Sequence, residues 1–230
     1  MTYFQRAAEA APEDPEVWYG LGSCYAGLDQ RDDAIAAYRR PIDQNPENTT
    51  AHFVLAMYYK ATGQFDLAAS PLQEVIRIDP ANIRARFELG LVYGHINLVD
   101  EQIDIFETIL TDHPDHIPTL INLGVVWGKV DRFEEAIDLF SHAKELEPGN
   151  AIIDYSMGVT FNQMKRPNDA IRAYTLAIRN NPRMVAAHFN LGMTYLDQGR
   201  RKMALDQYEI LKGLDTDAAG RLFDRIYPES

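Results

Sequence analysis

The sequence predicts an all-α protein made of stacked, antiparallel helix pairs, and three observations support this prediction. Residues 15–218 divide into six consecutive blocks of 34 residues with no insertion or deletion. Five of the six blocks carry proline at position 32. Within each block, the apolar residues follow the spacing of two amphipathic helices. A period of this length is typical of helical repeat arrays, in which neighbouring units bury one another's apolar faces.

Each block is predicted to hold a helix A followed by a helix B. Positions 4, 7, 8 and 11 share one face of helix A, and positions 20, 24 and 27 share one face of helix B. Position 8 is glycine in five blocks and position 20 is alanine in five blocks, which allows the two backbones to approach closely. An aromatic residue at position 11 of every block fills the space around that contact. Proline at position 32 cannot continue helix B, so the chain turns there.

The domain division follows from this numbering. The six full repeats are residues 15–48, 49–82, 83–116, 117–150, 151–184 and 185–218. Residues 1–14 are predicted to be helix B of a partial N-terminal repeat, and residues 219–230 a capping helix and tail. Helix B of the partial repeat has no helix A before it. We therefore expect its apolar side to be exposed, covered by another chain, or paired within a longer parent protein of which this chain is a truncated piece.

The segments WYGLGSCY and DDAIAAY, at residues 18–25 and 32–38, resemble the tetratricopeptide repeat, or TPR. The resemblance covers residues 15–218 and departs from the family pattern at Pro41, Gln102 and Thr216. It implies a right-handed α-solenoid, the TPR superhelix, in which A helices line a concave face and B helices a convex face. It also implies that a ligand lies against positions 2, 5, 6, 9, 12 and 13 of the A helices.

Composition and charge limit the classes of partner. The 230 residues include 22 Lys and Arg against 34 Asp and Glu, which gives a formal net charge of −12. This charge argues against nucleic acid and anionic membrane surfaces as partners. The sequence has neither the run of about 18 apolar residues that a membrane span needs nor the apolar run of a secretory signal. These features favour a cytoplasmic location, unless truncation has removed a signal from the N-terminus.

The sequence predicts neither an enzyme nor a cofactor. It contains no glycine-rich phosphate-binding motif. Its single cysteine, Cys24, lies on an amphipathic helix, where a thiol usually packs without reacting. The densest group of metal-ligating residue types is Asp112–His116, with the sequence DHPDH. These residues fall at the turn between two repeats, and we interpret them as a turn and predict no metal site.

Positions 5 and 9 of the A helices predict an apolar binding face. Position 5 is large and apolar in every block, and position 9 is aliphatic or methionine in five blocks. We expect an exposed apolar band on the order of several hundred Å², the size that usually marks an interaction site. The predicted peptide-binding residues are Phe53, Met57, Phe87, Leu91, Ile121, Asn122, Val125, Tyr155, Val159, Asn162, Phe189, Asn190 and Met193. Lys60, Arg84 and Lys129 are candidate polar contacts.

The predicted function is a non-catalytic protein–protein interaction scaffold that binds a peptide or amphipathic helix with apolar side chains in the concave groove. The negative charge favours a protein partner with basic flanks. One alternative is the substrate-selecting TPR region of a larger enzyme such as a glycosyltransferase, because Asn122 and Asn190 resemble the asparagine ladder of O-linked N-acetylglucosamine transferase. Another is self-assembly into a homo-oligomer through the uncovered N-terminal helix. Aromatic and aliphatic residues at positions 5 and 9 disfavour the carboxylate clamp of chaperone-binding TPR proteins.

Overall fold

The computed structural model describes residues 2–228, and every regular element in that range is an α-helix. The all-α fold class predicted from the sequence is therefore confirmed. The fourteen helices of these residues are α1 (Thr2–Ala10), α2 (Pro15–Gly27), α3 (Arg31–Gln44), α4 (Thr49–Ala61), α5 (Phe65–Ile78), α6 (Ile83–His95), α7 (Val99–Asp112), α8 (Ile117–Lys129), α9 (Phe133–Leu146), α10 (Ala151–Gln163), α11 (Pro167–Asn180), α12 (Val185–Asp197), α13 (Arg201–Leu214) and α14 (Thr216–Ile226). The last two residues of the predicted tail, 229 and 230, lie outside the described range.

The chain divides into two compact units, one ending at Ile109 and the other beginning at Leu110. Each unit has its own buried core. The largest fully buried side chains of the first unit are Leu72, Val75, Val92, Phe106 and Ile109. Those of the second unit are Leu120, Leu123, Phe140, Ile153, Tyr174, Leu211 and Leu222. Burial of this apolar area is the main stabilising contribution within each unit.

In four of the six blocks, helices A and B meet where the ring at position 24 lies against the glycine at position 8. A Cβ atom built on Gly124 would lie 2.6 Å from a ring atom of Phe140, and one on Gly158 would lie 2.6 Å from Tyr174. Gly22 and Gly90 are covered in the same way by Tyr38 and Phe106. No real side chain fits at these distances, so the close approach predicted from the glycine column is present. In the sixth block the side chain against Gly192 is Leu222, from α14.

A left-handed backbone conformation at position 15 ends helix A in every block. The dihedral φ is 74° at Gly63 and 70° at Gly199, and it lies between 56° and 62° at Asp29, Asn97, Asp131 and Lys165. Glycine, asparagine and aspartate tolerate this conformation best, whereas lysine does not. Lys165 is therefore the position 15 residue least suited to its backbone.

A side chain at position 4 secures the turn that precedes helix A in three blocks. Trp18 Nε1 donates to the carbonyl oxygen of Pro12 at 2.7 Å. The Nε2 atoms of His52 and His188 donate to the equivalent carbonyls of Pro46 and Pro182, at 2.9 and 3.1 Å. These bonds satisfy carbonyl groups near the end of helix B that have no partner within the helix.

The fifth block places aspartate at position 4. Asp154 is 1% exposed, and its carboxylate accepts from Lys144 Nζ at 2.6 Å and from Asn180 Nδ2 at 3.0 Å. A carboxylate cannot donate to a carbonyl oxygen, so this block has an ion pair with a buried carboxylate where three other blocks have a donor to proline. A buried charge of this kind is tolerated because both of its oxygens are paired.

The three departures from the family pattern are accommodated locally. The amide group of Gln102 occupies the space beside Gly94, where a Cβ atom would lie 2.5 Å from Nε2. Helix α3 continues through Pro41, whose ring is buried, as far as Gln44. Thr216 replaces the proline at position 32, so α14 begins at this residue rather than at 219, with Asp215 accepting from the amide groups of its first turn.

Helix α1 packs on α2 through the ring of Phe4, which lies against Gly20. Ala8 is buried as well, whereas Tyr3 is 77% exposed. Helix α2 therefore covers part of the apolar side of α1. Self-assembly through α1 stays a prediction, as does the division of the chain into six repeats with a partial repeat and a cap.

The substitutions Gly124→Ala and Gly128→Ala, one turn apart on α8, should have opposite effects on stability. A Cβ on Gly124 collides with Phe140, so we expect Gly124→Ala to lower the free energy of unfolding by about 2 kcal/mol. A Cβ on Gly128 meets Thr160 Oγ1 at an ordinary 3.5 Å, so Gly128→Ala should raise it by about 0.5–1 kcal/mol. Urea denaturation of both variants measures the difference. Equal shifts in the transition midpoint would contradict the assigned contact.

Replacing Lys165 by glycine should stabilise the chain. Its φ of 56° is costly for a lysine and not for glycine, so we expect Lys165→Gly to raise the free energy of unfolding by about 0.5–1 kcal/mol. The neighbouring substitution Arg166→Gly is the control, because Arg166 has a φ of −109° that any residue adopts. Thermal unfolding followed by circular dichroism should show a higher transition midpoint than the wild type for Lys165→Gly. The midpoint of Arg166→Gly should not rise above that of the wild type.

Candidate interaction groove

Two adjoining cavities form a groove between α8 and α10, the A helices of the fourth and fifth blocks. Their volumes are about 430 and 200 Å³, and both are lined by Val125 and Ser156. We name the larger the wide cavity and the smaller the narrow cavity. The wide cavity is lined by Ile117, Pro118, Ile121, Asn122, Val125, Glu147, Asn150, Ile152 and Ser156. The narrow cavity is lined by Val125, Gly128, Lys129, Phe140, Tyr155, Ser156, Val159, Thr160 and Gln163.

The groove exposes apolar side chains from both of its helices. Val125 on α8 is 38% exposed and Ile152 on α10 is 55% exposed. Phe140, which is fully buried, reaches the narrow cavity from α9. Exposed aliphatic groups on both sides of a concave surface favour an apolar ligand, because covering them removes apolar area from water.

The narrow cavity is present because two side chains are small. Position 12 of the fourth block is Gly128, and position 6 of the fifth block is Ser156. The same two positions between the second and third blocks are Lys60 and Glu88, which form an ion pair. Larger side chains that contact each other fill the space there, whereas glycine and serine leave it open.

The fifth and sixth blocks close the equivalent space with asparagines. Asn162 Nδ2 donates to Thr194 Oγ1 at 2.7 Å and to the hydroxyl of Tyr174 at 3.3 Å. Asn190 Nδ2 donates to the hydroxyl of Tyr155 at 3.1 Å. Burial raises the pKa of Tyr174 far above its ordinary value, so its hydroxyl stays protonated. These two predicted ligand contacts therefore already hydrogen-bond within the chain.

Asn122, the third predicted asparagine, lines the wide cavity. Its Nδ2 atom donates to the carbonyl oxygen of Pro118, one turn earlier on α8, at 2.8 Å. Unlike Asn162 and Asn190, it bonds to its own helix. It therefore does not connect neighbouring repeats.

The predicted residues of the first unit are largely engaged within the chain. Phe53 and Met57 pack against the core of that unit. The guanidinium group of Arg84 lies 4.5 Å from the centre of the Phe53 ring, a cation–π arrangement. Lys60 is paired with Glu88, as described above. Phe87 and Leu91 are half-buried, and the Phe87 ring lies 5.7 Å from that of Phe106.

The position 9 side chains differ in exposure. Val125 is the most open of the five apolar residues, since Met57, Leu91, Val159 and Met193 are half-buried. Val159 and Met193 also pack against the core of the second unit, as do Tyr155 and Phe189. Among the predicted position 9 residues, the most exposed apolar side chain therefore lies in the groove. Of the predicted residues, Ile121, Asn122, Val125, Tyr155, Val159 and Lys129 line it.

Sequence reasoning missed ten of the sixteen residues that line the groove, and four of these ten are Gly128, Ile152, Ser156 and Gln163. These four stand at positions 12, 2, 6 and 13, which the family resemblance assigns to the ligand side. Ile152 is the one large apolar residue at position 2 of any block, which was a usable signal. Neither Gly128 nor Ser156 gave a signal by itself, because the narrow cavity is open only when both side chains are small.

Two side chains of the turn at Asp112–His116 hydrogen-bond to residues of α8 and α9. His116 Nδ1 lies 2.7 Å from Thr119 Oγ1, and His142 Nε2 lies 2.9 Å from Asp115 Oδ1. Burial lowers the pKa of His116, and the neighbouring His113 lowers it further. Among residues 2–228, no three His, Cys, Asp or Glu side chains are grouped so that they could hold a metal ion. Over the same range, no helix is both long enough and apolar enough to cross a membrane.

A family model of the tetratricopeptide repeat matches residues 2–48, 25–83, 53–117 and 155–230. The chain belongs to the tetratricopeptide repeat family. The TPR fold serves protein–protein interaction, so the protein has the fold of an interaction scaffold. Residues 118–154, which supply α8 after its first residue, α9 and the start of α10, lie between the matched segments. Most of the wide cavity therefore lies in this segment.

Solved structures of TPR proteins share the fold. YrrB, described as a TPR protein with an unusual peptide-binding site, is 18% identical with a TM-score of 0.64 over 80% of this chain and 95% of its own. MamA from Desulfovibrio magneticus RS-1 is 16% identical with a TM-score of 0.67 over 74% and 96% of the two chains. A chain of the APC/C hetero-tetramer Cut9–Hcn1 is 17% identical with a TM-score of 0.72, covering 98% of this chain and 45% of its own.

Asn162 should matter for stability more than Asn122. Asn162→Ala leaves the Thr194 and Tyr174 hydroxyls without their amide donor, so we expect it to lower the free energy of unfolding by about 1–2 kcal/mol. Asn122→Ala removes only a bond to its own helix and should change it by less than about 0.5 kcal/mol. Chemical denaturation of both variants tests this. A larger loss for Asn122→Ala would contradict the structural role of Asn162.

Proposed function

We propose that this TPR protein is a non-catalytic scaffold that holds an apolar segment of a partner protein in the groove between α8 and α10. The observation that carries the proposal is the pair of exposed side chains, Val125 and Ile152, on the two sides of one groove. Both belong to helices of a single compact unit, so the two apolar sides of the binding surface are built on packed helices.

The composition of the groove favours binding over chemistry. Its lining side chains are aliphatic, aromatic, hydroxyl or amide groups apart from Lys129 and Glu147. Those two charged residues line different cavities, so they do not form an acid–base pair within either cavity. No cysteine or histidine lines the groove to serve as nucleophile or proton carrier. Affinity would come from covering apolar surface, at about 25 cal/mol for each Å² removed from water.

The charge of the chain favours a partner with basic flanks around its apolar segment. The net charge is −12, and Glu147 lies at the mouth of the wide cavity. Long-range attraction of this sign increases the rate of association and weakens as salt is added. The apolar contacts then hold the complex, because exposed ion pairs add little affinity.

Val125→Glu tests the proposal, with Val130→Glu as its matched control. The two valines are 38% and 40% exposed and lie five residues apart, but only Val125 lines the groove. The probe is a peptide selected on the wild-type protein from a displayed library of random sequences. We expect Val125→Glu to weaken binding of this peptide at least tenfold, about 1.4 kcal/mol. Val130→Glu should leave binding within twofold.

Fluorescence anisotropy of the labelled peptide measures both dissociation constants, and circular dichroism checks that both variants melt like the wild type. The proposal fails if no peptide is selected by the wild-type protein. It also fails if the two glutamate variants lose binding equally, since the groove would then not be the site of contact.

A further inference from the structure

We infer that the narrow cavity is an anchor pocket for one large apolar side chain of the partner, and that the partner carries an acidic residue on the Lys129 side of this anchor and a basic residue on the Glu147 side. This inference rests on the proposed function. It adds the chemistry and the order of the residues that the groove selects.

The narrow cavity has the size and lining of a pocket for a single side chain. Its volume is about 200 Å³, against about 430 Å³ for the wide cavity. Val125, Tyr155 and Val159 line the narrow cavity with apolar groups, and the buried Phe140 ring lies behind them. An aliphatic or aromatic side chain placed here would bury apolar area on several sides at once, which is how anchor residues dominate binding.

The opening at Gly128 and Ser156 distinguishes this pocket from the equivalent places within each unit. The side chains at the same positions are Ala26 and Val54 between the first two blocks, and both pack against the core. They are Lys60 and Glu88 between the second and third blocks, where they pair. Between the fifth and sixth blocks they are Asn162 and Asn190, which bond to neighbouring side chains.

Opposite charges mark the two ends of the groove. Glu147 lies with Ile117 and Pro118, at the start of α8, where it accepts from Asn150 Nδ2 at 2.8 Å. Lys129 lies at the end of α8 beside the narrow cavity. Helix α8 runs from residue 117 to residue 129, so its ends are about 18 Å apart at 1.5 Å per residue.

Lys129 has no ion-pair partner among the described residues, unlike Lys60. It is exposed, and it stands at the rim of the pocket with Gln163. A carboxylate next to the anchor residue can therefore approach Lys129 without displacing a partner. A basic residue at that place would be repelled, so the groove favours one order of charges around the anchor.

Selection from a displayed library of random peptides tests this inference on the full chain. The wild-type protein should enrich peptides with one large apolar residue, an acidic residue on one side of it and a basic residue on the other. Lys129→Glu should enrich peptides with basic residues on both sides. Lys202→Glu is the matched control, because it makes the same change of charge at an exposed lysine outside the groove and should leave the selected pattern unchanged.

Gly128→Leu tests the pocket itself. A leucine side chain at this position fills the narrow cavity, so the large anchor should give way to a small residue in the selected peptides. Binding of the wild-type peptide should weaken at least tenfold in fluorescence anisotropy. If circular dichroism shows that Gly128→Leu does not fold, Val125→Phe serves instead, because Val125 is exposed and lines both cavities.

The outcomes separate this inference from the proposed function. Failure of the wild-type protein to enrich any peptide would overturn both. Peptides that bind in a Val125-dependent manner, but whose anchor and charge pattern survive Gly128→Leu and Lys129→Glu, would overturn the anchor pocket alone. Loss of the anchor with Gly128→Leu together with a changed charge pattern with Lys129→Glu would support it.

Discussion

The contact of an aromatic ring with a glycine backbone is the interaction on which the helix pairs of the first, third, fourth and fifth blocks depend. Phe140 on Gly124 and Tyr174 on Gly158 bring helix A and helix B together more closely than any side chain at position 8 would permit. Because this face of helix A is turned towards helix B, the other face is left to meet the neighbouring A helix. The groove between α8 and α10 lies on that second face, and its existence follows from how the first is packed.

The repeats use one scaffold to make both closed and open surfaces. Where positions 12 and 6 of adjacent blocks carry Lys60 and Glu88, the side chains join and the gap is filled. Where they carry Gly128 and Ser156, the gap remains and apolar walls stay accessible. A change at two positions is therefore enough to convert a structural contact between repeats into a binding surface, with no change in the helices themselves.

The helix pairs could be predicted from the sequence because they depend on spacings within one block. Glycine at position 8 and alanine at position 20 indicate the close approach of the two helices, and proline at position 32 indicates the end of helix B. Each of these constraints can be recognised from a single column of residues. The candidate site was predicted less completely. Whether the side chain of Asn162 or Lys60 is available to a ligand depends on the residue that it meets in the next block. A single column of the repeat alignment does not show which two residues meet. The prediction from single columns succeeded for Val125 and Lys129, because the side chains of the neighbouring block leave these two residues exposed.

The buried Asp154 distinguishes the fifth repeat from the three repeats that carry a donor at position 4. Trp18, His52 and His188 each take from the preceding repeat a proline carbonyl, which almost any repeat supplies. Asp154 instead requires Lys144 from the repeat before it and Asn180 from its own second helix. The repeats are consequently not interchangeable modules, because an array that places the fifth repeat directly after the first, second or third would leave the buried Asp154 carboxylate without a lysine partner. The junction of the fourth and fifth repeats therefore both constrains the order of the repeats and forms the groove.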